Sequence, residues 1–123
     1  MNIALIAHDG KKLDMASFIF RNHKLLQGMT LFATLTTGTY IEKEGIHVHK
    51  LLSGPKGGDA QIAAMVAEGK LNAVLFFRDP LDAHPHEPDV QMLMRVCDVY
   101  NIPLATNPAT ATMILDTLAL KEV

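Results

Sequence analysis

The chain has 123 residues, 49% of them hydrophobic, and a net charge of −2. That length suits one compact domain with a real core, and the near-neutral balance excludes the broad basic field of a nucleic-acid binder. The single cysteine, Cys97, excludes an internal disulfide. No apolar run reaches the roughly 18 residues of a membrane span, and the N-terminus lacks a cleavable signal pattern, so the expectation is a soluble cytoplasmic protein.

Ile3–Ala7 is a short, almost wholly apolar run, which predicts a strand buried on both faces. Leu13, Ala16 and Phe20 then recur at helical spacing, with Leu26 near the same face. Thr30–Ala33 is the second predicted strand, and Thr39–Glu44 a short helix. Val48–Leu52 is the third strand, followed by a helix over Ala60–Gly69 whose Ile62, Met65 and Val66 share a face. Leu71–Phe77 is the fourth strand. Arg78–Pro88 carries Pro80, Pro85 and Pro88 and reads as one long irregular loop, stiffened into a wall. Val90, Leu93, Met94, Cys97 and Tyr100 mark the next helix, Ile102–Ala105 the fifth strand, and Thr110–Leu120 the last helix, with Met113, Ile114, Thr117 and Leu118 inward. This repeating β-α order predicts one three-layer α/β domain over residues 1–123, with a five-stranded, mostly parallel sheet and helices on both faces.

The unusual polar residues fall in clusters, each directly after a predicted strand. They are His8-Asp9-Gly10-Lys11-Lys12, then Thr34, Thr36, Thr37 and Gly38, then Ser53–Asp59, then Arg78–Asp89, and last Thr106-Asn107-Pro108. In a parallel sheet the carboxyl ends of the strands lie on one edge, where ligands bind. The five loops are therefore expected to converge on a small-molecule site.

Ser53-Gly54-Pro55-Lys56-Gly57-Gly58-Asp59 is the richest of these loops. Glycines let the backbone turn sharply and approach a ligand, and amides opening a helix suit an anion. The stretch reads as an oxyanion or phosphate cradle with a carboxylate base beside it. Taken alone, it reads more simply as an ordinary βα turn whose aspartate caps the helix, because glycine-rich turns of this kind are common. The hydroxyls of Thr34, Thr36, Thr37 and Ser53 are donors suited to phosphate oxygens, and Lys12 supplies a full positive charge. Neither a Walker A nor a G-x-G-x-x-G order occurs. Asp9, Asp59, Asp79 and Asp89 are the carboxylates near the crevice, and His8 and His86 are candidate donors to a carbonyl oxygen. Asp89 is also placed as a helix cap, Asp79 as a turn former and Lys56 as a solvated lysine. The pairs His47/His49 and His84/His86 lack the further ligands of a metal site, and Cys97 reads as packing rather than as a nucleophile.

Taken together, certain segments resemble methylglyoxal synthase. They are His8-Asp9-x-x-Lys12, Thr34-x-Thr36-Thr37-Gly38, Leu52-Ser53-Gly54-Pro55-x-Gly57-Gly58-Asp59, Phe76-Phe77-x-Asp79-Pro80-Leu81, Pro85-His86-x-Pro88-Asp89 and Asn101-Ile102-Pro103-x-Ala105-Thr106-Asn107. The resemblance runs through nearly the whole chain and implies a methylglyoxal synthase-like domain. It implies a lyase that deprotonates dihydroxyacetone phosphate to an enediolate and expels phosphate to give methylglyoxal, with no cofactor and no metal. It implies Asp59 as general base and His86 as neutral hydrogen-bond donor, with Asp9 and Asp89 supporting them. Lys12, Thr34, Thr36, Thr37, Ser53 and Gly54 would hold the phosphate, and His8 would line the pocket. It further implies a homohexamer, with inorganic phosphate as product and inhibitor. Leu35 stands where the family usually has glycine, which would disturb the threonine turn if that position needs positive φ. Two alternatives remain open at this point: a triose-phosphate isomerising enzyme with the same base, and a regulatory ligand-binding domain of the same fold.

Overall fold

A computed structural model describes residues 1–82 and 87–121 of the chain. Its central element is β1, Asn2–Ala7, in which Ile3 through Ala7 are all buried. β1 pairs in parallel with β2, Thr30–Ala33, on one side and with β4, Ala73–Phe77, on the other. A strand covered on both faces and both edges has no position for a polar side chain, which is why its run is uniformly apolar. β3, His49–Lys50, adds to β2, and β5, Leu104–Ala105, adds to β4. The sheet has the order β3-β2-β1-β4-β5, and every pairing is parallel.

Alternate residues of the strands feed two separate cores. Ile3, Leu5, Leu75 and Phe77 pack with α1, Lys12–Arg21, α2, His23–Leu26, α3, Leu35–Glu42, and α6, Pro108–Lys121. Ala4, Ile6, Val74 and Phe76 pack with α4, Gly58–Ala67, and α5, Glu87–Val99. The chain builds outward from β1 to β3, then returns through α4 to β4 on the other side of β1. The carboxyl ends of β1 and β4 are therefore neighbours whose following helices leave on opposite faces. That is the switch point where an open parallel sheet forms its ligand crevice.

Several sequence-based boundaries shift. The third, fourth and fifth strands are shorter than predicted. Beyond β3 the Leu51 N–H still bonds to the Ala33 carbonyl, but the Leu52 N–H goes to the Gln61 side chain, so the chain peels off the sheet. The first helical stretch is two helices broken at Asn22, whose side-chain amide donates to the Phe18 carbonyl at 2.8 Å. Its buried face is Met15, Ala16, Phe18 and Ile19, leaving the predicted Leu13 and Phe20 exposed. Likewise α6 buries Ala111, Leu115 and Leu118 and exposes Met113 and Thr117, and Tyr100 lies exposed beyond α5. These stretches are apolar on more than one face, so spacing alone admits more than one inward stripe. The helix expected over Thr39–Glu44 begins earlier, at Leu35, because Thr34 takes the N-cap position. Leu35 is not among the positive-φ residues, so a side chain there leaves this segment undisturbed. Glu87 and Pro88 belong to α5 rather than to the preceding loop.

Candidate active site

Four of the five post-strand loops meet around a cavity of about 350 Å³ at the β1/β4 switch point. Its floor is Ile6, Phe76 and Val90, apolar residues of the second core. Its walls carry the polar groups His8, Asp9, Lys12, Thr34, Thr36, Ser53, Gly54, Lys56, Asp59 and Asp82. The fifth loop does not join them. Thr106, Asn107 and Pro108 border a second cavity of about 410 Å³ with Phe77, Lys11 and Asp14. The expected convergence of five loops is thus corrected to four, because β5 is an edge strand whose following helix returns to the opposite face of the sheet. The second cavity is the larger, yet among the described residues no buried carboxylate borders it, and its Lys11 sits 3.8 Å from Asp14.

After β1 a 3-10 turn over Asp9–Lys11 leads into α1. Lys12 Nζ lies 2.6 Å from Asp9 Oδ1. The lysine side chain is only 12% exposed and the aspartate 96%, so the carboxylate is solvated while the ammonium is held inward at the cavity. His8 Nδ1 accepts the Asp79 N–H at 3.0 Å. A neutral imidazole accepting at Nδ1 carries its proton at Nε2, so His8 is oriented as an Nε2–H donor. Its ring meets Phe76 edge-on at 5.1 Å. Asp79 Oδ1 accepts the Leu81 N–H at 3.2 Å, which folds the turn that supplies this amide.

After β2, Thr34 occupies the N-cap of α3 without a side-chain capping bond. The Leu35 N–H is spent on the Leu52 carbonyl, but among the described residues the amides of Thr36 and Thr37 have no partner. An uncapped helix start leaves donors and the positive end of the dipole for an anion. Thr37 is placed differently from its neighbours. It is fully buried behind the cavity wall, where its hydroxyl accepts the Ala7 N–H at 3.2 Å and lies 3.0 Å from the Thr34 hydroxyl.

After β3, Ser53 leads into a 3-10 turn over Gly54–Lys56. The amides of Lys56 and Gly58 bond to the Ser53 carbonyl and that of Gly57 to the Gly54 carbonyl. The loop amides are therefore largely consumed in shaping the turn, a narrower cradle than the glycine content suggested. Gly57 has φ 118°, which favours glycine, and a Cβ on Gly58 would collide with the Leu52 carbonyl oxygen. This tight joint sets the first turn of α4 and with it Asp59. Asp59 is buried at 6% exposure and borders the cavity. A Cβ on Gly54 would lie 3.2 Å from Asp59 Oδ1, so the serine-glycine backbone and the carboxylate face each other closely.

After β4, Asp89 sits in the first turn of α5, half-buried and not bordering the cavity, whereas its neighbour Val90 does. His86 and the His84/His86 pair lie outside the described residues. Arg78 reaches α5 through Glu87, at 3.2 Å. Asp82, Lys56 and Pro55 border the cavity although the residue reading assigned them no site role. Their only sequence signal is membership of the polar stretches after β3 and β4. Cys97 is buried in the second core, and burial, with Asp98 adding to it, pushes its thiol up to about 11, which makes it packing rather than a nucleophile. Among the described residues no three metal-ligating groups cluster. His49 instead stacks on Phe32 at 5.2 Å.

Fold and site together define a doubly wound α/β domain in which a polar-walled cavity at the switch point is bordered by a buried carboxylate. Residues 14–106 match the family model of the MGS-like domain. The chain is 54% identical to methylglyoxal synthase of Carboxydothermus hydrogenoformans over 119 residues, 96% of this chain and 98% of that one. It is 56% identical to methylglyoxal synthase of Bacillus cereus strain Q1, again over 96% of this chain and 91% of the relative. Its fold overlays the crystal structure of methylglyoxal synthase from Elizabethkingia anophelis NUHP1 with a TM-score of 0.88 at 43% identity, covering 93% of this chain and 76% of that one. The chain belongs to the methylglyoxal synthase family.

Proposed function

We propose that this protein is a methylglyoxal synthase, a carbon–oxygen lyase acting on dihydroxyacetone phosphate. The observation that carries the reading is Asp59, a buried carboxylate set close against Gly54 on the wall of a cavity that also presents Lys12, Thr34 and Ser53. Family membership at more than half identity supports it.

In this reading Lys12, the hydroxyls of Thr34, Thr36 and Ser53, and the amides at the start of α3 and at Gly54 hold the phosphate dianion. Asp59 removes a proton from the hydroxymethyl carbon. The electron pair moves into the carbon–carbon bond, and the carbonyl oxygen becomes an enediolate oxygen. His8, with its proton held at Nε2, and His86 donate to the oxygens on which that charge develops. Asp9 orients Lys12, and Asp89 supports His86. The enediolate then expels phosphate by breaking the carbon–oxygen bond to the bridging oxygen, and the resulting enol tautomerises to methylglyoxal. Elimination requires that bond to stand out of the enediolate plane, so the cradle's second task is to hold the phosphate there. An in-plane phosphate would favour isomerisation instead, the chemistry of a carboxylate base and neutral histidine in triosephosphate isomerase.

The chain is proposed to act as one unit over residues 1–123, in the cytoplasm, as a homohexamer that sedimentation equilibrium would reveal directly. Inorganic phosphate, as product, is the expected inhibitor of the same cradle. The deciding experiment is purified protein with dihydroxyacetone phosphate, assayed for methylglyoxal and free phosphate together. Equal release of both is expected. Glyceraldehyde 3-phosphate without phosphate release would make it an isomerase, and binding without turnover would make it a regulatory domain.

A further inference from the structure

Thr34 and Thr37 are both buried, but only Thr34 borders the cavity. Ala7 ends β1, and β2 has already ended at Ala33, so the Ala7 N–H has run past its neighbouring strand. Thr37 Oγ1 takes that amide at 3.2 Å. The only other partner of this hydroxyl among the described residues is Thr34 Oγ1, at 3.0 Å. Thr37 makes no bond back to a helix carbonyl, unlike Thr39, whose hydroxyl donates to the Leu35 carbonyl at 3.0 Å.

A hydroxyl has one proton and two lone pairs. Either hydroxyl can supply the proton shared by this pair, and the accounting at Thr37 decides which one does. If Thr34 donated, Thr37 would accept twice and its own proton would be stranded in a site closed to water, the costly case for a buried donor. If Thr37 donates, its proton and one lone pair are both used, and the Thr34 proton turns to the cavity.

We infer that Thr37 is a positioning residue: anchored by the Ala7 N–H, it donates to Thr34 Oγ1 and so directs the Thr34 proton at the bound anion. Each link polarises the next, which strengthens the terminal donor. Thr34 then has its proton free for the anion instead of spent on Thr37, which suits a fully deprotonated phosphate dianion. The inference rests on the crevice being a phosphate site.

The test titrates inorganic phosphate into the wild-type protein, Thr34→Val, Thr37→Val, the double variant and Thr37→Ser. Loss of one charge-assisted hydrogen bond should weaken binding about tenfold in each single valine variant. The double variant should lose no more than Thr34→Val alone, and Thr37→Ser should bind as the wild type does. Wild-type affinity in Thr37→Val, or losses that multiply to about a hundredfold in the double variant, would overturn the inference, since Thr37 would then act without Thr34. Absence of phosphate binding by the wild type would instead overturn the reading of the crevice, and the inference with it. Should Thr37→Val fail to fold, neutron diffraction of the wild-type crystal with phosphate reads the hydroxyl deuterons. A Thr37 deuteron aimed at Thr34 Oγ1 supports the assignment, and a Thr34 deuteron aimed at Thr37 overturns it.

Discussion

Asp59 is a carboxylate that a soluble protein would ordinarily leave in water. Here it is folded under the Ser53–Gly54 backbone by the turn that starts α4. A positioned general base contributes about 100-fold to 10,000-fold to rate. Asp59→Asn keeps the shape and removes the base. On the proposed reading, in which Lys12 and the hydroxyls hold the phosphate, it should lower kcat within that range while phosphate affinity survives. Steady-state kinetics beside a phosphate titration reads both, and turnover near the wild-type rate would remove Asp59 from the role. Residue identity and the order of the motifs named most of the wall in advance: His8, Asp9, Lys12, Thr34, Thr36, Ser53, Gly54 and Asp59 all border one cavity. What identity could not supply was depth. Thr36 and Thr37 are consecutive threonines, yet one faces the cavity and the other lies behind it under Ala7. A helical step of one residue turns the side chain by about a quarter of a circle, and nothing in the two letters records which way.

The elements that matter most are the joints rather than the strands. At the Gly57–Gly58 joint the chain passes through φ 118° and then so close to the Leu52 carbonyl that no Cβ fits. Gly58→Ala is expected to destabilise the fold by about 1–3 kcal/mol, the range for a side chain forced into a packed place. Because the same joint aims Asp59, activity should fall further than stability alone explains. Denaturant unfolding with kinetics at a temperature where the variant is folded separates the two effects. Wild-type stability would show that the joint can open without cost. The helices illustrate the reverse case. In α1 and α6 apolar residues surround most of the axis, so spacing does not pick the buried stripe and Leu13, Phe20 and Met113 lie exposed, while in α4 the spacing points to Ile62 and Val66, which are buried.

For the whole molecule, the sheet order decides where chemistry can happen. Placing β4 beside β1 brings loops 71 residues apart into contact, as in the Asp79 N–H to His8 bond. It also divides the interior into two cores, the second of which holds Cys97. That thiol has an ordinary value of 9.0 and is pushed up to about 11 by burial, with Asp98 adding to it. Below pH 9 both folded and unfolded chains keep the proton, and the group does not oppose folding. Between pH 9 and 11 the unfolded chain releases it while the folded chain retains it, so stability falls as pH rises through this window. Cys97→Ala should show a shallower alkaline loss of stability than the wild type in denaturant titrations from pH 8 to 11. Parallel curves for the two proteins would show that the thiol ionises freely in the fold.

The sequence by itself determined the central strands β1 and β4, because a position buried on both faces tolerates only apolar residues. It also determined the polar clusters at the strand ends, because those groups have no place in the core. Together these specified a parallel α/β domain and many of the residues that border one cavity. Tertiary structure alone decided which loops share a cavity, sending Thr106 and Asn107 to the other face while four loops closed on Asp59. It decided as well which stripe of each helix turned inward and which hydroxyl reached the crevice. Those outcomes follow from the lateral order of the strands and from packing against neighbours distant along the chain, and local spacing carries neither.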